Sequence, residues 1–423
     1  MAAAFPKALF DLRSRSGRTH LSVRLSRRGW RNLLLGSLAL AGLFFGLKSL
    51  GVLAWGVADG EIGSVYEIPK GPWGCLTAQP VLIAAPAERL SPNFRLGDDR
   101  WYFRAAHAGE VRQQLLRAGL SVEDAARLLA TLQAVPGKPG LFAAAPEPAL
   151  VLSMSPGVRT ALYEQLSLWP ENLPQFEPFR MTDTHLEQWL QAGDVPSDVI
   201  TKVRSLFWKR GNAVLFSDYN VVADTINSPA IKLSLLKQLS RKASLVVRLA
   251  IPGEDDIEPL VDYWGFGGRS EKVGPLLHAM ARSGGEPLDI ANLLPVFPRQ
   301  RLYRFPDPLP GSDLGPACHW SAFNFFNMGS PDESLHTPEG VERMLAENYV
   351  PATAEPRFGD VILLTLPDGS SIHSAVYIAG NIVFTKNGPS LASPFIFSTI
   401  EDMLAFYPNS ERIRLTYYRL KSA

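Results

Sequence analysis

Apolar positions recur at helical spacing through the middle of the chain, bounded by capping residues and by Pro or Gly. Glu110 to Gly119 and Ser121 to Gln133 read as helices. The second opens on Ser121 with Glu123 and Asp124 in its first turn, where free amides favour an oxygen acceptor and negative charge. Ser155 followed by Pro156 opens a helix over 156–168 in the same way. The pattern predicts further helices at 183–192, 196–209, 229–240 and 271–283, and short strands at 213–217 (AVLFS) and 244–251 (SLVVRLAI). After residue 358 the period shortens. The runs VILLT, IHSAVYIA and IVFT, divided by Pro367-Asp368-Gly369-Ser370 and by Gly380-Asn381, predict an antiparallel meander.

One apolar run is of another kind. Asn32 to Ala58 has Lys48 as its sole charge and is flanked by Trp30 and Trp55, which is long enough at ~1.5 Å per residue to cross a ~30 Å hydrocarbon core. Lys7 and seven arginines precede it against Asp11 alone, which would keep the N-terminus cytoplasmic and send the remainder across. The expectation is a signal anchor in contact with membrane lipid through 32–58. Three other readings stand beside it: a cleaved secretory peptide ending at Gly56-Val57-Ala58, a partial twin-arginine signal at Ser26-Arg27-Arg28, and an organelle transit peptide. In most of them the body works outside the cytoplasm, in the periplasm if the source is a Gram-negative bacterium.

Composition narrows the remainder. With 46% hydrophobic and 20% charged residues in 423, the chain is neither a polytopic membrane protein, a collagen-like repeat nor a disordered chain. Two cysteines cannot form a disulfide framework. The net charge of +1 conceals a basic tail of +7 over residues 1–31 joined to a body of −6, and no nucleic-acid partner is expected. The predicted architecture is α+β: basic tail 1–31, transmembrane helix 32–58, Pro/Gly/Ala-rich connector 59–90, a mostly helical domain 91–299 of unassigned role, and a C-terminal α+β domain 300–423.

The middle region offers little chemistry. Tyr263 to Gly268 (YWGFGG) lacks the spacing of a nucleotide-binding loop, Glu254-Asp255-Asp256 reads as a solvated loop, and His107, His185 and His278 stand alone. Neither metal nor organic cofactor is expected. The C-terminal third differs. Cys318, in GPACHWSAFNFFN, falls at a predicted helix start, where dipole and free amides favour thiolate, with Ala322, Phe325 and Phe326 on the buried face. His373 lies on the predicted second strand of the meander, sharing a face with Ala375 and Tyr377. A helix packed on that sheet would bring thiol and imidazole together for covalent acyl transfer.

This order of elements, a cysteine at a helix start, Gly359-Asp360 opening a strand, a histidine early in the next strand and a polar residue on the one after, resembles the NlpC-type endopeptidases. These are papain-like cysteine amidases that cleave cell-wall peptides. The likeness covers roughly residues 300–420. It implies Cys318 as nucleophile, His373 as base, and Tyr303 as a match to a tyrosine near the family's active site. The chain departs from the motif at Ala317-Cys318-His319, where the family often has Asp-Cys-Ser, and the family's third histidine is not at its expected place.

A three-residue turn at Ala379-Gly380-Asn381 would place His373 opposite Asn387 with Thr385 beside it, whereas a two-residue turn would substitute Lys386, which cannot accept the imidazole proton. Asn387 is therefore the expected third catalytic residue. Tyr303 and Thr385 are the candidate substrate-binding or oxyanion groups. His319 and His336 are expected at helix surfaces or in loops, and Cys75 as structural or free. The predicted function is a membrane-anchored thiol amidohydrolase of the cell envelope acting on peptidoglycan stem peptides or another peptide amide. A catalytically inactive envelope-binding or assembly protein, and a thiol acyltransferase, are the alternatives.

Overall fold

The burial of Leu76 and Ala78 alternates with more exposed neighbours along Gly74–Ile83, as a strand covered on one face requires. A computed structural model of the chain describes residues 62–421 except 183–185, 192, 212, 313 and 408–411. In it β1 (Tyr66–Gly71) and β2 (Gly74–Ile83) form an antiparallel hairpin within the stretch expected as an extended connector. Gly74, at φ +90°, permits the turn. Pro80 is tolerated because β1 begins opposite Ala78, at Tyr66, so its missing N–H leaves no gap in that ladder.

The region expected to be mostly helical is α+β. Among its strands are β3 (Trp101–Arg104), β4 (Gln133–Ala134) and β5 (Leu141–Ala144), ordered β3-β5-β4. A second three-stranded sheet has β6 (Phe179–Thr182), β7 (Trp208–Arg210) and β8 (Ala213–Phe216), ordered β6-β8-β7. The helices at Ala108–Arg117, Val122–Leu129, Pro156–Leu166, Ser197–Ser205 and Pro229–Leu239 enclose one apolar core with these sheets. Ser121, Ser155 and Ser228 each accept an amide bond three residues on, as expected of helix caps. Inside this core Arg159, 0% exposed, pairs with Asp218 at 2.9 Å, while Tyr163 Oη donates to the other carboxylate oxygen at 2.6 Å.

β9 (Lys242–Ala250) pairs with β2 along its whole length, and β10 (Leu288–Asp289) adds to its other edge. The C-terminal sheet consists of β11 (Tyr349–Pro351), β12 (Val361–Thr365), β13 (Ser371–Ala379), β14 (Ile382–Thr385), β15 (Ile396–Thr399) and β16 (Arg414–Leu420). Its order is β11-β16-β12-β13-β14-β15, antiparallel throughout. One face, with Val361, Val376, Ile378 and Phe384, packs on a core shared with Leu76, Val247, Trp264 and the helix Cys318–Phe323. The other, with Ile362, Leu364, Ala375, Tyr377 and Val383, is covered by Met403 of the helix Ile400–Leu404 and by Tyr407.

The expected membrane helix is corrected. Among the described residues no helix is long and apolar enough to cross a membrane, and the run 32–58 lies outside them, as does the basic tail. The single-span architecture and the localisation derived from it, N-terminus cytoplasmic and body extracytoplasmic, are withdrawn. The described architecture is α+β with several antiparallel sheets.

Candidate functional site

Cys318 is the first residue of a six-residue helix that follows the extended Ala317. The helix is shorter than its apolar pattern suggested because Asn324 ends it: the Asn324 side chain donates to the Trp320 carbonyl at 3.0 Å and accepts from the Asp332 amide at 2.8 Å. Ala322 and Phe325 are both 1% exposed and Phe326 packs against the same core. His319, expected at a surface, is half-buried, with Nδ1 2.9 Å from Ser374 Oγ on β13. That bond identifies the Ser374 and Val376 side of the sheet as the one the helix covers.

The Cys318 thiol meets β13 at the His373–Ser374 peptide. The backbone amides of Ser374, His319 and Cys318 itself act on the sulfur and favour thiolate, as does the charge of Lys386. Burial opposes them and prevails, since the residue is 7% exposed and the thiol is pushed above its ordinary range.

The His373 ring emerges on the opposite side of β13, in line with Ala375 and Tyr377, and is fully buried beside Tyr407 with ring centroids 5.6 Å apart. Its Nε2 is 2.9 Å from Thr385 Oγ1, and its Nδ1 is buried without any partner. Burial, with the neighbouring His319, pushes the ring down to about 3, so it is neutral at physiological pH.

Thr385 thus holds the position expected of Asn387. The β13–β14 turn combines the two predicted registers. It closes through Gly380-Asn381 with Ala379 opposite Ile382, and a bulge at Ile378 then restores Tyr377 opposite Val383 and Val376 opposite Phe384. Extended, that register sets His373 opposite Asn387, but β14 ends at Thr385. The Asn387 side-chain oxygen is buried and unbonded.

Tyr303 is committed elsewhere. Its hydroxyl donates to the Leu245 carbonyl of β9 at 2.7 Å, its amide donates to the Phe395 carbonyl at 2.7 Å, and it adopts the left-handed φ of +64°. His336 stacks on Trp320 and contacts Glu333 at 2.9 Å. Cys75 is exposed on β2, and both cysteines are free.

Two neighbours carry no sequence signal, and a third entered the sequence pattern only as the register alternative to Asn387. Ser374 supplies an amide to the thiol, Tyr407 flanks the imidazole, and Lys386 is 0% exposed with Nζ donating to the carbonyls of Gly388 at 2.6 Å and Ser390 at 3.2 Å. Burial pushes Lys386 down to about 7. Only the residue of Lys386-Asn387 that faces His373 bears on the register, and Lys386 lies on the other face of the strand.

Asp360, of the Gly-Asp pair, is 0% exposed and accepts two bonds from Arg419 of β16, at 2.9 and 2.7 Å, tying the strands together rather than touching the thiol. Among the described residues no group of three or more His, Cys, Asp or Glu is placed to hold a metal ion. The chain matches no protein-family model, no curated protein and no solved structure.

Proposed function

We propose that the C-terminal domain is a thiol amidohydrolase acting on a peptide amide, with Cys318 as nucleophile and His373 as its proton carrier. The observation that carries this reading is the meeting of the thiol with β13 at the residue pair whose histidine has one ring nitrogen held by Thr385 and the other buried and unpartnered. In the tautomer with N–H at Nε2 donating to Thr385, Nδ1 presents its lone pair. Attack of Sγ on the carbonyl carbon moves the carbonyl electron pair onto oxygen, where the amides around Cys318 are available as donors. As placed, the ring faces away from the thiol across β13, so carrying the thiol's proton through Nδ1 to the leaving amine as the C–N bond breaks requires the His373 segment to turn toward the cysteine's face. Water then attacks the thioester, yields its proton to Nδ1 and releases the sulfur.

The burial of Cys318 favours a second reading, a catalytically silent domain in which the thiol is a small packed side chain. Intact-mass analysis with p-nitrophenyl acetate decides between them. The enzyme reading expects one acetyl group on Cys318 that is then lost, no adduct in Cys318→Ser, and a persistent adduct in His373→Ala. Absence of acetylation at Cys318 supports the silent domain, and equal turnover in His373→Ala removes His373 from the mechanism.

A further inference from the structure

Lys386 stands out among the buried groups that this mechanism leaves unused. It follows Phe384 by two residues, so strand alternation sets it on the sheet face that packs against Phe325, just beyond the Cys318 helix. Two carbonyls take two of its three potential N–H donors, and among the described residues no carboxylate pairs with it. Burying an ammonium without a counter-ion is costly, so the site favours either the neutral amine or an anion within reach. The one thiol in the domain lies in its field. The loop that carries Lys386 is also bonded to the approach to the nucleophile, since the Gly315 amide donates to the Pro389 carbonyl at 2.7 Å.

We propose that Lys386 receives the proton of Cys318, so that the working nucleophile is a thiolate paired with the Lys386 ammonium. This rests on the reading of Cys318 as a nucleophile. In the step the S–H bond breaks, sulfur keeps the electron pair, and the lone pair of neutral Nζ forms the new N–H bond, leaving the pair's net charge unchanged. The Lys386 ammonium then gives the same proton to the leaving amine, and the cycle closes without an outside acid. His373 alone is a weak base where it lies. Lys386 is matched to neutral pH, which is what general-base action requires. The other groups around the pair are His319 on the cysteine's helix, His373 on β13, Tyr407 after the helix Ile400–Leu404, and, from the other core, Glu177, Arg180 on β6 and Lys242 on β9. Of these only Glu177 adds negative charge, and it is exposed.

The test is iodoacetamide labelling of Cys318 across pH in the full chain carrying Cys75→Ser, read by peptide mass spectrometry. Because amine–thiol and ammonium–thiolate forms carry the same proton, labelling should rise with the first proton lost from the pair, near neutrality. Lys386→Met should move the rise above the ordinary thiol range and slow labelling at neutral pH by ~tenfold or more, one pKa unit being tenfold. An unchanged profile in folded Lys386→Met overturns the proposal.

Should that variant not fold, the thiolate ultraviolet absorbance lost on adding Cys318→Ser to the Cys75→Ser protein reads the ionisation with Lys386 intact. Thiolate near neutrality supports the pair, and thiolate only in or above the ordinary thiol range overturns it. Acetyl turnover separates the two readings. A Lys386-independent profile with acetyl turnover overturns the lysine and leaves the hydrolase, and a Lys386-dependent profile without acetyl turnover leaves the pair and overturns the hydrolase.

Discussion

His373 Nε2 lies 2.9 Å from Thr385 Oγ1, twelve residues on, across the open end of the β13–β14 ladder. The contact fixes the ring's orientation and leaves Nδ1 as its one unpartnered atom. Thr385→Val keeps the shape of the side chain and removes the hydroxyl, so both ring nitrogens become unsatisfied. The expected cost is about 1–3 kcal/mol in urea unfolding, the penalty for an orphaned buried polar group. Thr385→Ser should recover most of it. Acetyl turnover should fall with Thr385→Val and return with Thr385→Ser. Equal stability in Thr385→Val and the native protein would show that the ring finds another partner.

The pairing of Asp360 with Arg419 makes a prediction about the sheet. The carboxylate is 0% exposed and also accepts from the Arg357 amide at 2.8 Å, while the Arg419 side chain is 20% exposed. Arg419→Met leaves a buried anion without its cation. Such losses cost about 3–5 kcal/mol, and the partial exposure of Arg419 puts this one near the lower end. The double substitution Asp360→Asn with Arg419→Met should recover part of that, measurable as a coupling energy in a double-mutant cycle.

Much of the helical framework was legible because Ser121, Ser155 and Ser228 mark helix starts by a local mechanism, one side-chain oxygen meeting free amides, that does not depend on the fold. The strands β3 to β8 were harder. They have two to four residues each, too short to display a period, and only AVLFS, the site of β8, stood out. The 66–83 hairpin was hidden by the prolines and glycines that its turn and edge positions admit. At the candidate site the chain order of Cys318, His373 and Thr385 was visible, but their relation depended on the bulge at Ile378, which no local pattern announces. Lys386 was visible only as the register alternative to Asn387, because its burial on the other face of the strand depends on the packed helix.

Burial of His373 sets a pH dependence of stability. The imidazole of the unfolded chain takes a proton below its ordinary 6.5, whereas the folded ring does so only near about 3. Between these values the unfolded state binds more protons, so the ring's contribution is complete above 6.5 and is lost as pH falls through the window. The slope from this one group is at most about 1.4 kcal/mol per pH unit. Lys386 acts likewise at higher pH: folded at about 7 and unfolded at 10.5, it makes stability rise with pH across that interval. Urea midpoints measured across pH should show the acid slope reduced in His373→Gln and the alkaline slope reduced in Lys386→Met, each without effect on the other.

Gly359 joins the turn before β12 to the end of the cysteine-bearing segment. It has φ +88°, and a Cβ built on it would lie 2.2 Å from the ring of Phe326, a few residues beyond the Cys318 helix. Both the backbone angle and the space exclude a side chain there. Gly369, in the turn after β12, has φ +87° with nothing within 4 Å of such a Cβ, so alanine at that position meets the backbone penalty alone. Gly369→Ala should therefore cost about 1 kcal/mol. Gly359→Ala adds an overpacking cost of about 1–3 kcal/mol as Phe326 is displaced. The difference, read from urea unfolding of the two variants, isolates the contact between glycine and ring. Because Phe326 packs edge-on to Phe325, whose ring lies against Phe384 of β14, its displacement should also alter labelling of Cys318 in Gly359→Ala and leave Gly369→Ala unchanged. Equal labelling in the two would show that the ring moves without disturbing the cysteine's helix.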